Sequence, residues 1–341
     1  MPKIITFGEI MLRLATPGYQ RFVQADSFEA TYGGGEANVA VSLAGFGQEA
    51  AFVTAVPDND IGQAAINYLR RFGVQTEFIL RRKNSRLGIY FLETGASQRP
   101  SQVIYDRAAS AIASIEENTF DWERIFAGAN WFHFTGITPA LGDAVAAETL
   151  RACRTAKQCG LTVSCDLNYR KKLWSREKAQ EVMTGLMPYV DVVIANEEDA
   201  EKVFGISASR TDIIKGEIDE EGYHEVARQL KTKFDLQYVA ITLRESFSAS
   251  ENGWSGLLYD GTSFYKSRRY LIHIVDRVGG GDAFTGGLIY GMLNGLPPQE
   301  TVEFAAAASC LKQTIPGDFN MVKVDEVLNL AAGDASGRVQ R

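Results

Sequence analysis

From about residue 130 onward, short runs of consecutive apolar residues alternate with longer stretches patterned like amphipathic helices. The runs are NWFHFTGI, LTVSCDL, VDVVIAN and YVAITL, and the stretches between them predict helices near 143–158, 176–187 and 221–234. Strands apolar throughout are buried on both faces, and helices of this length between them predict β-α-β units. The expected fold is therefore α/β, a doubly wound, mostly parallel sheet with helices on both faces. KIITFG, a helix from about residue 36, AAFVTAV and a helix over 60–72 extend the same pattern toward the N-terminus. The segments at about 11–35 and 76–107 differ. They carry short strands such as LGIYFLE and QVIYDR with no helix between them, which predicts a small β-sheet lid. No linker rich in Pro, Gly or Ser divides the chain and no repeat of 20–50 residues is found. One domain over 1–330 follows, with the lid inserted in its first third. Residues 207–222, polar and charged, read as a surface loop, and 331–341, small and polar, as a flexible tail.

Charge narrows the choice of partner. Across 341 residues, 35 Lys plus Arg against 42 Asp plus Glu leave a net charge of −7. With no basic block, nucleic acid and anionic membrane surfaces are poor partners, and small ligands become the expectation. No apolar run is long enough to span a bilayer, and the N-terminus reads as a first strand instead of a signal peptide. Cys153, Cys159, Cys165 and Cys310 are too sparse for a disulfide framework, which fits a reducing, cytoplasmic setting. His133, His224 and His273 are scattered and build no zinc motif.

The candidate chemistry sits in two glycine-rich loops. DRVGGGDAFTGG, 276–287, follows the strand-like YLIHIV and leads into a helical pattern. Successive glycines leave backbone N–H groups unobstructed, and a helix N-terminus adds partial positive charge, so this is an anion-binding arrangement. A tight turn capped by Asp282 accounts equally well for the local sequence. A Walker A reading fails because Gly287 and Leu288 stand where Lys and Ser/Thr are needed; Phe284 spoils a G-x-G-x-x-G reading. Gly286 and Gly287 each disfavour a helix by about 1 kcal/mol relative to Ala, so close approach of a nucleotide or of the sheet is expected there. The second loop, GGGEANVA at 33–40, suits either main-chain contact with hydroxyl groups, with Asn38 as donor and acceptor, or a hinge between core and lid.

Together, GGGEANVA, DRVGGGDAF and the Ala-rich helix at 304–311 resemble the ribokinase-like, PfkB-type sugar kinase family over nearly the whole chain. The resemblance implies transfer of the γ-phosphoryl group of ATP to a sugar hydroxyl, with Mg²⁺ as cofactor. Asp282 matches the family's catalytic base, and the amides of Gly279, Gly280 and Gly281 its anion hole. G-G-G-D replaces the commoner G-A-G-D, a change that preserves backbone geometry. Asp276 matches a position near a monovalent-cation site, for an ion such as K⁺. Asn196 to Asp199, NEED, resembles an N-x-x-E element associated with Mg²⁺ and phosphate; Asp199, the shorter acid, implies contact through water, and the start of a surface helix is the plain structural alternative. Thr242 matches an ATP contact, but Thr-Leu-Arg replaces Thr-Leu-Gly, so the turn there is expected to differ.

Ligands of open α/β sheets sit at the carboxyl ends of strands, which places Asp166, Asn168 and Arg170 of DLNYRKKLW at the rim. Tyr105 and Arg107, two apart in a lid strand, share a face. Two guanidinium groups approaching one ligand suit a carboxylate or phosphate better than a neutral sugar; an exposed Tyr-Arg face and a rim arginine paired with an acid is the plain structural alternative. The strings YDRAASA and DLNYRKKLW resemble those of the family's 2-keto-3-deoxygluconate kinases, which implies Gly34, Tyr90, Tyr105, Arg107, Arg170 and Asp318 as contacts to a sugar acid phosphorylated at its terminal hydroxyl. A fructokinase or other hexose or sugar-phosphate kinase is the alternative within the family, and a non-catalytic sugar or nucleotide sensor the alternative outside it. Dimers through the lid sheet are common in the family, so a homodimer is expected.

Overall fold

In a computed structural model of the chain, the described residues are 3–196, 198–207 and 220–334. The first half runs β1 (Lys3–Phe7), β2 (Met11–Ala15), β3 (Glu29–Gly33), α1 (Gly35–Gly45), β4 (Glu49–Pro57), α2 (Asp60–Arg71), β5 (Ile79–Arg82), β6 (Gly88–Glu93), β7 (Gln102–Asp106), α3 (Trp122–Phe126), β8 (Trp131–Thr135) and α4 (Asp143–Gln158). There follow β9 (Thr162–Asp166), α5 (Arg176–Leu186), β10 (Val192–Asn196), α6 (Asp199–Phe204), α7 (Glu220–Phe234), β11 (Tyr238–Ser246), β12 (Glu251–Tyr259), β13 (Phe264–Lys266), β14 (Tyr270–His273), α8 (Gly280–Leu293), α9 (Pro298–Lys312) and α10 (Val324–Ala332).

The large sheet has the order β13-β12-β11-β10-β9-β8-β1-β4-β5, with β14 also on β12. From β11 to β5 every pair is parallel; β12, β13 and β14 form an antiparallel extension. Successive strand residues point to opposite faces. Ile5 and Phe7 accordingly enter one buried cluster with Phe132, Phe134 and Val163, while Ile4 joins Phe52, Val192 and Ile194 on the other face. Strand order runs outward in both directions from the β1–β8 neighbours, so the chain switches direction there and opens a crevice at the carboxyl ends. Among the described residues, no helix is long and apolar enough to cross a membrane.

A second sheet, β3-β2-β6-β7, stands beside this crevice. Its inward positions alternate strictly: Met11, Arg13 and Ala15 of β2 are buried and pair with Gly88, Tyr90 and Leu92 of β6. The expected lid segment at 76–107 is too long. β5 lies within it, yet pairs in parallel with β4 as the edge of the large sheet, through Thr54 with Ile79. A four-residue strand with a half-buried pattern gives little periodicity with which to tell the two sheets apart. The expected tail at 331–341 starts too early, since Ala331 and Ala332 complete α10; residues 335–341 lie outside the described residues. Most of the expected surface loop at 207–222 also lies outside them, and α7 has begun by Glu220.

Gly286 and Gly287 have a different reason from the two expected: helix meets helix. A Cβ on Gly286 would lie 2.6 Å from Ser42 Cβ of α1, and one on Gly287 would lie 2.8 Å from Ala305 Cα of α9. Their helix penalty is the condition for burying α8 between α1 and α9. Gly287→Val is expected to lower the free energy of unfolding by about 1–3 kcal/mol through overpacking. Urea unfolding measures it as a lower midpoint at unchanged slope; an unchanged midpoint would show that α9 can simply move aside.

Candidate active site

The carboxyl ends of β1, β8, β9, β10 and β11, the glycine loop before α8 and the inner face of the small sheet enclose a cleft of about 330 Å³. Gly34, Tyr90, Tyr105, Arg107, Arg170 and Asp318 all line it, as do Asn196, Asp199, Thr242, Gly279, Gly280, Gly281 and Asp282. Asp276 is not part of its wall. Residues as distant in sequence as Asn38 and Asp282, 244 positions apart, are thus brought together, and the sheet ends supply one wall: β1 exits into Glu9, β9 into Asp166 and Asn168, β10 into Asn196.

The glycine loop is built by close approach. Gly279 adopts φ 83°, a left-handed conformation, and a Cβ there would collide with the Asp318 carbonyl. Helix α8 starts at Gly280 with Gly279 as its N-cap and no capping side chain. Asp282 therefore does not cap the turn. It sits in the first helical turn, and its Oδ2 accepts a hydrogen bond of 2.6 Å from Asn38 Nδ2. The three expected anion-hole amides are not equivalent, because Gly280 N donates to Arg277 O at 3.2 Å. The amides of Gly281 and Asp282, in the first turn, have no intrahelical acceptor. A Cβ on Gly281 would meet nothing within 4 Å, so that side of the turn faces open space.

Gly34 marks the other approach: a Cβ there would strike Glu9 O, and its amide donates to Asn38 Oδ1 at 3.2 Å. Asn38 so links both glycine loops, with oxygen to Gly34 and nitrogen to Asp282. Glu36, two residues earlier, is fully buried and accepts from Thr135 N at 2.9 Å, Thr135 Oγ1 at 2.8 Å and Thr138 Oγ1 at 2.5 Å. Burial raises its pKa to about 7 against those hydrogen bonds. It fastens α1 to the end of β8.

The two expected arginines differ in their surroundings. Arg107 Nε donates to Glu9 Oε2 at 2.8 Å and a second nitrogen also pairs with Glu9, whose other oxygen takes Ser110 Oγ at 2.5 Å. Its guanidinium also lies 5.6 Å over the Tyr105 ring, which in turn packs 5.9 Å from Tyr90. Arg170 makes no ion pair among the described residues; its Nη1 donates to Tyr169 O at 3.0 Å. The preceding Asn168 takes φ 37°, a left-handed turn that Asn tolerates and that carries the chain from β9 across the cleft. Tyr169 N then reaches Asp199 Oδ1 at 3.1 Å.

Asp318 is buried and both its oxygens meet protein donors: Arg13 Nη1 at 2.6 Å, and Tyr90 OH at 2.6 and 2.7 Å. Asp276 also pairs with Arg13, and its oxygens accept from Val278 N at 3.1 Å and Gly317 N at 3.0 Å. Thr242 is not at a strand end. β11 continues to Ser246, with Arg244 paired to Trp254 of β12, so no turn follows Thr-Leu-Arg. Arg244 and Arg277 both face the cleft without an ion pair among the described residues, and burial together with Arg244 pulls Arg277 below its usual pKa. Two like charges held that close favour an anion between them.

Three carboxylates, Asp166, Asp199 and Asp282, gather near Arg170, whose charge opposes the rise of each. Burial raises Asp282 to about pKa 6, and Asp199 likewise to about 6. Asp166 is pushed well above the carboxylate range by burial, then by the charges of Asp199 and Asp282. Among the described residues no cluster of three His, Cys, Asp or Glu forms a closed metal cage. Mutually repelling Asp166 and Asp199 do fit a Mg²⁺ ion that keeps waters and phosphate oxygens as its other ligands. Glu197 of NEED lies outside the described residues, and Asp199 begins the short helix α6, its backbone N–H donating to Asn196 Oδ1 at 2.9 Å.

Sequence reasoning missed Glu9, Arg13, Glu36, Arg277 and Lys312. One signal was present: Arg13 occupies an inward position in MLRLA, where an unpartnered charge would be costly.

A doubly wound sheet with a glycine-capped helix and an acid at one end of the cleft defines a phosphotransferase of the sugar kinase type. The sequence pattern of the pfkB family carbohydrate kinases matches residues 1–322, and the chain belongs to that family. It is 54% identical to the crystal structure of a 2-dehydro-3-deoxygluconokinase from Thermotoga maritima, with TM-score 0.93, over 97% of this chain and 98% of the other. It is 33% identical to a 2-dehydro-3-deoxygalactonokinase of Haloferax volcanii over 98% of both chains. A 2-dehydro-3-deoxygluconokinase of Bacillus subtilis is 27% identical over 95% of this chain and 93% of its own. The protein is an enzyme that phosphorylates an alcohol group, with ATP and Mg²⁺ as the family's cosubstrate and cofactor.

Asp282 is expected to titrate near pH 6 in the free protein, two units above an ordinary Asp, when followed by carboxyl-carbon NMR assigned through Asp282→Asn. Asn38 donates to the charged form, so Asn38→Ala is expected to raise that midpoint by about one unit. A midpoint below 5 in the native protein would contradict the desolvated site.

Proposed function

We propose that this kinase transfers the γ-phosphoryl group of ATP to the terminal hydroxyl of 2-dehydro-3-deoxygluconate, the 2-keto-3-deoxy acid, giving the 6-phosphate and ADP. The observation that carries this reading is the pair of arginines in one cleft with Asp282. Glu9 already balances the charge of Arg107, so that residue supplies directed N–H groups; Arg170, without an ion pair, supplies the net positive charge a substrate carboxylate needs. Two such groups are of little use to a neutral sugar.

With the carboxylate held at the arginine end, the far hydroxyl lies toward Asp282. Asp282 accepts that proton as the hydroxyl oxygen attacks phosphorus and the bond to the ADP oxygen breaks. Asn38 keeps its carboxylate oriented, and the amides of Gly279, Gly281 and Asp282 receive the charge on the equatorial oxygens. Gly280 supports the turn through Arg277 O. Arg244, Arg277, Thr242 and Asn196 form the nucleotide end. Mg²⁺, held by Asp166 and Asp199 directly or through water, would neutralise the phosphates. Gly34, Tyr90 and Tyr105 complete the sugar site, Asp318 fixing the phenol of Tyr90. The small sheet serves as the lid, and the setting is the cytosol, where ATP is available.

The 33% identical Haloferax relative supports a second acid, the C4 epimer 2-dehydro-3-deoxygalactonate, which carries the same carboxylate and terminal hydroxyl. ADP release is therefore to be measured with both epimers, fructose and fructose 6-phosphate. The acids are expected to give the highest kcat/KM, and preference for a neutral sugar would sink the two-arginine reading. Asp282→Asn is expected to lose roughly 10²–10⁴-fold in kcat with modest change in binding. Arg170→Ala is expected mainly to raise KM for the acid, by roughly 10- to 100-fold.

The same reading includes a homodimer. Val23 is 92% exposed, and Tyr19, Phe28 and Ile104 join it on the small sheet and its β2–β3 connection, an apolar surface suited to a second copy. Light scattering is expected to give twice the chain mass; a monomer at high concentration would refute it.

A further inference from the structure

Lys312, the last residue of α9, is fully buried, which is unusual for a lysine and needs a reason. Its Nζ donates to Asp276 O at 3.1 Å and to Val278 O, two carbonyls of the strip that leads into the glycine turn. Burial pulls its pKa down, while the charges of Asp276, Asp318 and Asp282 oppose that.

Two converging carbonyls beside a carboxylate are the ligand set of a desolvated monovalent cation, the ion that the resemblance of Asp276 to a family position implies. The residues present do not fit such an ion. The carbonyls already receive Lys312, and the Asp276 carboxylate already receives Arg13, Val278 N and Gly317 N. Among the described residues each of these groups is already paired, and a second cation beside the ammonium would be repelled by it.

The arrangement also aims a backbone group. In a planar trans peptide the carbonyl and the following N–H point in opposite directions. Drawing the Val278 carbonyl inward onto Lys312 turns the Gly279 N–H outward, and Gly279 belongs to the cleft wall.

We propose that Lys312 is a built-in cation: its ammonium group takes the place of a monovalent metal ion and positions the glycine turn, so this kinase works without K⁺. The inference rests on the reading of that turn as the phosphate-facing part of the site, and Lys312 is a positioning residue that touches no substrate.

The test compares K⁺, Na⁺ and tetramethylammonium at equal ionic strength, by thermal unfolding of the full chain without substrate and by kcat for ADP release. For the native protein neither reading is expected to change with the cation; a higher unfolding temperature or faster turnover in K⁺ alone would overturn the proposal. Lys312→Ala leaves a cavity lined by the freed carbonyls. It is expected to lose roughly 10- to 100-fold in kcat through misplacement of the turn, to recover with K⁺ or ammonium, and to unfold at higher temperature in K⁺. Lys312→Met, which fills the space without charge, is expected to show no recovery. A folded Lys312→Ala that responds to no cation would overturn the proposal, and if that variant does not fold in any salt the comparison on the native protein decides. Unfolding needs no substrate, so an error in the proposed reaction would leave that comparison intact and show itself as absent ADP release.

Discussion

Arg13 is the joint on which the site depends. It projects from the inner face of β2, in the small sheet, and bridges Asp276 before α8 to Asp318 after α9. All three groups are almost fully buried. Removing a guanidinium and two carboxylates from water costs several kcal/mol per ion, and deleting one partner strands the others at a cost of about 3–5 kcal/mol. The small sheet therefore cannot slide along β2 without exposing or unpairing these charges. The β6–β7 side is tied to the core as well, through Tyr90 to Asp318 and Arg107 to Glu9, while Tyr105 stays exposed.

The same joint organises the Tyr90 end of the cleft. Tyr90 donates its phenolic proton to Asp318, and burial with that neighbouring charge pushes Tyr90 well above its ordinary pKa. Its oxygen is left as an acceptor toward the cleft. A hydroxyl that donates fits there; a carboxylate does not. Asp318, with both oxygens taken by Arg13 and Tyr90, influences a ligand through the phenol. One buried salt-bridge cluster thus couples the small sheet, the glycine turn and the polarity of the Tyr90 end of the cleft.

The sheet core was legible because its strands are apolar throughout and its helices long: α4 was expected at 143–158 and is found as Asp143–Gln158. The two glycine loops were legible as places of close approach, although what approaches Gly286 and Gly287 is helix, not nucleotide. Illegible features share a cause, namely dependence on residues far away in sequence. Ile79–Arg82 joins the large sheet only because β4 offers an edge, and β11 runs past Thr242 only because β12 returns alongside it. Glu9 and Arg107 are 98 residues apart, Arg13 and Asp318 are 305 apart, and no local pattern announces either pair. A buried charge at an inward strand position marks that a partner exists without saying which.

The net charge of −7 is compatible with a site for two anions because the cleft sorts its charges by position. Glu9 is neutralised by Arg107, and Asp276 and Asp318 share Arg13 with Lys312 beside them. Without an ion pair among the described residues are Arg244 and Arg277, and Arg170, whose charge partly offsets Asp166, Asp199 and Asp282. Mixed at random these would cancel. Instead Arg244 and Arg277 repel one another at one place, while burial and then the charges of Asp199 and Asp282 push Asp166 up at another. Each group of like charges is destabilised until a ligand of the opposite sign arrives: phosphates and a carboxylate for the arginines, a divalent cation and a proton for the acids. In the proposed reaction a nucleotide with its metal would satisfy both groups at once, which favours that combination over either component alone.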